Sequence, residues 1–319
     1  SATQLIRENN WRALKSYTWE YDDAGNILSR KEYLHNTGTL GSPLKTVGYT
    51  YGDSSWGDLL TAYGSAAISY DSVGNPLSDG TWSYAWEHGR QLASMTGNGT
   101  TWNYTYDADG MRISRSNGTS SYSYVYNGGK LTRMTVGFDT LTFTYDAQGN
   151  PQTVKHNGTL YYYVTNLQGD VVAIVDGSGN TIVSYYYDAW GNPVNSAGST
   201  FTAIGALNPL RYRGYVYDQE TGLYYLQSRY YNPTTGRFLN ADALTSTGQG
   251  ELGNNMFAYC NNTPVMLVDG SGMAPFPNTV AIDDGGRRGL NEVTLKEWAI
   301  YLLHALYNFL GEEKFFDLN

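Results

Sequence analysis

Apolar and polar residues alternate with a period of two along most of the chain, which is the pattern of half-buried β-strands. In the segment 121–126, for example, tyrosines occupy one face and serine or valine the other. Similar segments at 102–106 and 141–145 have the usual length of strands. Asn98-Gly99 and Asn157-Gly158 lie between such segments and favour tight hairpin turns. The pattern predicts short strands and tight turns over residues 1–209.

A phrase of the form Tyr-Asp-x-x-Gly-Asn recurs where the alternating segments end. The third copy lacks the final Asn, and Pro follows three of the others. Asp can close its own turn with a side-chain hydrogen bond, and Gly accepts a positive φ. Recurrence at irregular spacing still indicates a repeat architecture with one continuous core, here a ladder of antiparallel β-hairpins. The copies begin at Tyr21, Tyr70, Tyr106, Tyr145 and Tyr187.

The composition changes twice after residue 209. Residues 210–242 are denser in Arg and Tyr than anything upstream, and 274–289 form a linker rich in Pro, Gly and Asp. Beyond the linker, apolar residues recur at helical spacing, and Thr294 with Glu297 makes a capping box. We therefore expect an all-β fold with a single substantial helix within 291–310. That helix either docks on the β-scaffold or begins a separate effector segment.

The chain contains 30 Tyr and 37 Gly, only 15% charged residues, and a formal net charge of −9. This acidic balance argues against a nucleic-acid partner, because phosphate binding requires Lys and Arg patches. The four histidines show no metal-binding spacing, so neither a metal nor another cofactor is expected. No apolar run is long enough to predict a membrane span. Because the repeat is already in progress at residue 1, we interpret the chain as a fragment with further shell domains upstream.

The Tyr-Asp repeats, together with the phrase from Gly222-Leu223-Tyr224-Tyr225 to Gly236-Arg237-Phe238, resemble the Rhs/YD-repeat proteins and their core-associated region. The resemblance covers residues 1–273. It implies a bacterial, exported protein whose repeats wind an antiparallel β-sheet into a spiral or partial shell. The core region, here 210–273, plugs one end. Autoproteolysis then releases a C-terminal segment, usually a toxin, which stays enclosed and would here be 274–319.

The resemblance also implies a pair of catalytic aspartates, which match Asp242 and Asp269, and a scissile bond between Met273 and Ala274. When two carboxylates lie together, one keeps its proton and the other acts as a base. Proline usually follows each aspartate in the family, whereas here Ala243 and Gly270 do. The alternative is that both aspartates only shape turns, which is the commonest role of Asp beside Gly.

Two further residues of the core region have alternative roles. Arg237 could support a carboxylate through its two-pronged guanidinium, or it could form a structural ion pair or stack on tyrosine. Cys260 is the only cysteine, so no disulfide within the chain is expected. A buried, inert thiol is favoured for Cys260 over a nucleophile, because no motif places a base beside it.

Three functions remain open at this point. The first is a secreted or cell-surface shell and plug of a polymorphic toxin that cuts its own tail. The second is an adhesin whose aromatic rows bind a cell-surface glycan or protein, although such rows usually pack across strands. The third is a shell that has lost proteolysis through Gly270. The tryptophans that could build the adhesin surface include Trp56, Trp82, Trp86, Trp102 and Trp190.

Overall fold

The computed structural model describes residues 4–194, 203–243 and 254–277. The helix predicted within 291–310 lies outside these ranges, as does the predicted linker from residue 278 onward. The described part is almost entirely antiparallel β-structure, so the predicted all-β class is confirmed. Its two large sheets are built from strands in chain order, and neither is closed into a barrel.

The first sheet has six strands in sequential order. Each strand pairs antiparallel with the next, as expected for hairpins joined along the chain. Its strands are β1 (Arg7–Asn10), β2 (Lys15–Tyr21), β3 (Ile27–Leu34), β4 (Lys45–Thr50), β5 (Ala62–Tyr63) and β6 (Ala66–Ala67).

The second sheet has thirteen strands, again in sequential order and antiparallel throughout. Its register shifts by one residue beside several Tyr-Asp turns, as between Thr144 and Tyr145. The strands are β7 (Ser69–Tyr70), β8 (Pro76–Ser78), β9 (Trp82–Glu87), β10 (Gln91–Gly97), β11 (Thr100–Tyr106), β12 (Arg112–Ser116), β13 (Ser121–Asn127), β14 (Lys130–Val136), β15 (Asp139–Tyr145), β16 (Pro151–His156), β17 (Thr159–Thr165), β18 (Val171–Val175) and β19 (Thr181–Ser184).

Four short strands form a separate meander in the core region. This sheet and the segments around it contain most of the largest buried tyrosines, including Tyr212, Tyr224, Tyr231 and Tyr259. A two-stranded ladder follows near the end of the described chain. The elements are α1 (Ala203–Leu207), β20 (Val216–Asp218), β21 (Leu223–Tyr225), β22 (Tyr230–Asn232), β23 (Arg237–Phe238), β24 (Leu267–Val268) and β25 (Phe276–Pro277), with 3-10 turns at Tyr212–Gly214 and Tyr259–Asn262.

In each Tyr-Asp phrase, Oδ1 of the Asp accepts the backbone N–H of the fourth residue after it. In the copy at Asp146, Oδ1 accepts the backbone N–H groups of Gln148 at 3.0 Å and Asn150 at 2.8 Å. Gly149 adopts a φ of 84°, which only glycine accepts readily. The same geometry recurs at Asn166–Asp170 and Asp176–Asn180, two copies that the Tyr-Asp pattern missed because no tyrosine precedes them.

The core region packs on both large sheets. One hydrophobic cluster joins the inner face of the thirteen-stranded sheet to Leu223, Tyr225 and Tyr230. A second cluster joins the first sheet to Trp190 and to Tyr224 and Tyr231 of the meander. The core region therefore links the two large sheets through shared apolar contacts, consistent with a plug.

Glu8 of β1 faces the turn that begins at Asp188. The backbone of Ala189 hydrogen-bonds the Glu8 carboxylate, and Asn10 Nδ2 donates to Glu8 Oε1 at 3.0 Å and to the Tyr187 carbonyl at 3.2 Å. Glu8 Oε2 is buried without a hydrogen-bond partner in the described structure. Burial, reinforced by the charge of Asp188, raises the pKa of Glu8 to about 7.

This contact predicts a pH-dependent stability. Because the pKa of Glu8 is raised in the folded state, its stabilising contribution is complete below its unfolded pKa and is lost as pH rises through about 7. Between pH 5 and pH 8, the free energy of unfolding should fall more in the wild type than in Glu8→Gln. We expect the difference to be on the order of 2 kcal/mol. Urea denaturation at both pH values measures the difference. Glu20→Gln, at an exposed carboxylate, should keep the wild-type dependence, and an unchanged dependence in Glu8→Gln would contradict the interpretation.

Candidate active site

Asp242 and Asp269 meet at one guanidinium nitrogen. Arg229 Nη2 lies 2.8 Å from Asp242 Oδ2 and 3.7 Å from Asp269 Oδ2. All three side chains are buried. The structure therefore brings together the two aspartates that the sequence singled out, and it places a cation between them that the sequence analysis missed.

Backbone contacts from several elements position this cluster. Arg229 comes directly before β22, and Leu239 pairs with this strand by donating its N–H to the Tyr230 carbonyl at 2.7 Å. Asp242 follows three residues later and donates its backbone N–H to the Met256 carbonyl at 2.9 Å. Asp269 comes directly after β24.

Tyrosine hydroxyls and local donors fix Asp269. Its backbone N–H donates to Tyr215 Oη at 3.0 Å, and Tyr215 Oη in turn contacts Tyr259 Oη at 3.2 Å. Oδ1 of Asp269 accepts the Met273 backbone N–H at 3.1 Å. Oδ2 is buried without a hydrogen-bond partner among the described residues. The two oxygens of Asp269 therefore differ, since Oδ1 accepts a backbone hydrogen bond and Oδ2 lies 3.7 Å from Arg229 Nη2.

Burial governs the electrostatics of the cluster. It raises the pKa of Asp269, and the Arg229 charge opposes that shift. Burial also lowers the pKa of Arg229 to about 10, which the charges of Asp242 and Asp269 oppose. The guanidinium remains charged at neutral pH and compensates one carboxylate. The guanidinium lies closer to Asp242 than to Asp269, the carboxyl whose pKa burial raises.

The predicted scissile bond follows directly on this cluster. The Met273 N–H is bound by Asp269, and Met273 is 42% exposed. At Gly270, where the family usually has proline, a Cβ would meet no atom within 4 Å, and the backbone has no positive φ. The loop therefore has room for a Cβ at this position.

Arg237 lies elsewhere in the core region. Its Nη2 donates to the Asp58 carbonyl at 2.9 Å and contacts Asn255 Oδ1 at 3.4 Å. Its guanidinium lies over the rings of Tyr51 and Phe257. Within the described ranges, the arginine that contacts the aspartates is Arg229 and not Arg237.

Sequence reasoning could have identified Arg229 from a charge argument. Two buried carboxyls need a buried cation, and the core region offers several arginines within strands. The choice between Arg229 and Arg237 depends on the register of β22 and β23, where Asn232 pairs with Arg237. Neither spacing nor residue type specifies that register.

Other candidate chemistry receives no support from the geometry. Cys260 is fully buried, and burial raises the pKa of its thiol, which keeps the sulfur protonated. Across residues 4–194, 203–243 and 254–277, no group of three or more His, Cys, Asp or Glu side chains could hold a metal ion. Over the same ranges no helix is long and apolar enough to cross a membrane.

The tryptophan rows pack within the fold. Trp82, Trp102 and Trp190 are buried, and Trp190 contacts Trp19 with ring centroids 6.0 Å apart. Trp86 packs against the first hydrophobic cluster and Trp56 against Phe257. These side chains build the core instead of an exposed stacking surface.

Comparison with characterised proteins agrees with this architecture. The chain is 40% identical over 220 residues to the tRNA3(Ser)-specific nuclease WapA of Bacillus spizizenii, a match that covers 67% of this chain and 9% of that protein. It is 28% identical over 294 residues to the toxin subunit YenC1 of Yersinia entomophaga, covering 81% of this chain and 29% of the relative. The chain thus spans less than a third of the length of either relative.

Solved structures show the same fold. The crystal structure of TcdB2-TccC3 without its hypervariable C-terminal region superposes with a TM-score of 0.59 at 21% identity, covering 81% of this chain and 13% of that one. The teneurin YD-shell family model matches residues 4–265. With hairpins in chain order, Tyr-Asp turns and this match over most of its length, the chain belongs to the teneurin YD-shell family.

Proposed function

We propose that this chain is the shell-and-plug part of an exported, toxin-type YD-shell protein that cuts its own backbone between Met273 and Ala274. One observation carries the proposal: Asp242 and Asp269 share Arg229 Nη2, while Asp269 also binds the backbone N–H of Met273. Two buried carboxyls of opposite protonation beside a fixed peptide segment are the requirements of an aspartyl protease.

The proposed reaction is hydrolysis by one water molecule. Ionised Asp242 accepts a proton as the water oxygen attacks the Met273 carbonyl carbon. Protonated Asp269 donates its proton to the Ala274 nitrogen as the carbon–nitrogen bond breaks. The products are a carboxylate on Met273 and an ammonium group on Ala274. The pair still holds one proton, which now lies on Asp242. Arg229 Nη2 lies 2.8 Å from Asp242 Oδ2 and so pairs more closely with the carboxyl that acts as the base.

The natural partner is then the chain's own segment after residue 273. Relatives named as toxins or nucleases support this proposal, and so does a structural neighbour that was crystallised without its hypervariable C-terminal region. A shell that holds such a segment would act outside the producing cell, so we propose a secreted or cell-surface location. The buried tryptophans give no comparable support to an adhesin.

Replacing Arg229 should distinguish a role in cleavage from a role in packing the core region. We expect Arg229→Gln to slow the split at least about 100-fold, because the buried Asp242 loses its ion-pair partner. Arg229→Lys should restore part of the rate and shift its pH profile. Intact mass spectrometry over time gives the rates.

Arg237→Gln is the matched control. Arg237 is 2% exposed, and it also binds a backbone carbonyl and lies over aromatic rings. We expect it to lower stability while the folded chain splits at the wild-type rate. Equal slowing in Arg229→Gln and Arg237→Gln, at equal melting temperature, would show that the Arg229 effect is structural and would overturn its assigned role.

A further inference from the structure

Three consecutive residues contact three consecutive carbonyls just before the proposed scissile bond. Gln227 Nε2 donates to the Gly270 carbonyl at 3.2 Å, and Ser228 Oγ donates to the Ser271 carbonyl at 2.7 Å. The Ser228 backbone N–H also reaches the Ser271 carbonyl, at 3.2 Å. Arg229 Nε donates to the Gly272 carbonyl. The two segments therefore run in a fixed one-to-one register.

Gly272 shows how closely the segments approach. Its φ is +71°, and a Cβ at this position would lie 2.7 Å from the Leu226 carbonyl oxygen and 2.8 Å from Ser228 Oγ. Any other residue would push the loop away from Ser228. Glycine here is a requirement of the contact.

The contacts bind main chain and not side chains. Gly270 and Gly272 offer no side chain to recognise, and Met273 is 42% exposed. Gln227 Nε2 also donates to the Gly129 carbonyl in the β13–β14 turn at 3.2 Å, which connects the register to the wall of the large sheet. Hydrogen bonds to main-chain carbonyls select a position by its distance along the chain. They do so whatever side chain that position carries.

We propose that Gln227, Ser228 and Arg229 form a main-chain clamp that determines which peptide bond is cut. The clamp holds the carbonyls of residues 270–272 against the Asp242–Asp269 pair, so that the fourth residue after Asp269 supplies the scissile carbonyl. This inference rests on the proposed self-cleavage. Gln227 and Ser228 are positioning residues, whereas Arg229 also contacts the aspartates directly.

A single inserted glycine tests the clamp. Inserted between Gly272 and Met273, it becomes the fourth residue after Asp269, and we expect the cut to move to the bond between the new glycine and Met273. The same insertion after Ala274 is the matched control and should leave the cut after Met273. Peptide mass of the new C-terminus identifies the bond. A cut that stays after Met273 in the first insertion would overturn the clamp while leaving self-cleavage intact.

Substitutions give a second measure. Gln227→Ala combined with Ser228→Ala should slow the split by at least about tenfold and yield more than one cut position, because the side-chain hydrogen bonds to the Gly270 and Ser271 carbonyls are lost. Met273→Gly should leave the cut position unchanged. A purely structural role for Gln227 and Ser228 would change the rate but keep a single position. A wild-type chain that never splits would overturn both the proposed function and the clamp. A cut that does not move after the glycine insertion would overturn the clamp alone.

Discussion

Asp242→Asn and Asp269→Asn should each leave the folded chain at full mass, with the split slowed at least about 1,000-fold. Each variant removes one of two groups that act only as a unit, so either loss alone costs nearly the whole effect. Asparagine keeps the shape of the side chain but can neither accept the proton of water as Asp242 does nor supply a carboxylic proton as Asp269 does.

The pH dependence of the cleavage rate tests whether Asp269 acts as the proton donor. Because burial raises the pKa of Asp269, its proton is present at low pH and is lost as pH rises through that raised value. The wild-type rate should therefore fall on the alkaline side. Asp176→Asn, in an exposed turn, should split normally at every pH. Splitting of Asp269→Asn at the wild-type rate would show that the Asp269 carboxyl does not take part.

Asp218→Ala should cost about 3–5 kcal/mol of unfolding free energy, the largest stability effect that we expect from a single substitution. Asp218 lies in β20, and both of its carboxylate oxygens accept hydrogen bonds from Arg112 of β12. Arg115 Nε lies 3.4 Å from Asp218 Oδ1. All three side chains are buried, so removing the carboxylate leaves two buried cations with insufficient compensation.

Urea denaturation followed by tryptophan fluorescence measures this loss. Glu220→Gln is the matched control, because Glu220 pairs with Arg115 at 2.7 Å but its side chain is 36% exposed. Exposed pairs contribute little, so that variant should lose less than about 1 kcal/mol. An Asp218→Ala chain as stable as Glu220→Gln would contradict the view that this ion pair fastens the core region to the large sheet.

Local rules account for most of what the sequence predicted. The Tyr-Asp turns depend on residues within five positions of one another, so Asp146 and Gly149 can be interpreted without knowledge of the rest of the fold. The Asn-Gly turns are equally local. Asn98 and Gly99 both have positive φ and join β10 to β11. The sequential strand order follows from such hairpins.

The geometry of the candidate active site depends on contacts between residues far apart in the chain, which local rules do not predict. Arg229 meets Asp269 across 40 positions of the chain, through the packing of β22 against the segments that follow it. The clamp likewise depends on Gly272 lying against Ser228. The sequence indicated the aspartates because a family resemblance singled them out, whereas Arg229 belongs to a run of tyrosines in which packing is the simpler interpretation.

The mass of the freshly folded wild-type chain, measured under denaturing conditions, decides whether the chain cuts itself. We expect two species, residues 1–273 and residues 274–319, which separate on denaturation although no protease was added. Restoring proline at Gly270 should make them appear sooner, because proline restricts the backbone beside Asp269. A single species of full mass after long incubation from mildly acidic to neutral pH would contradict self-cleavage.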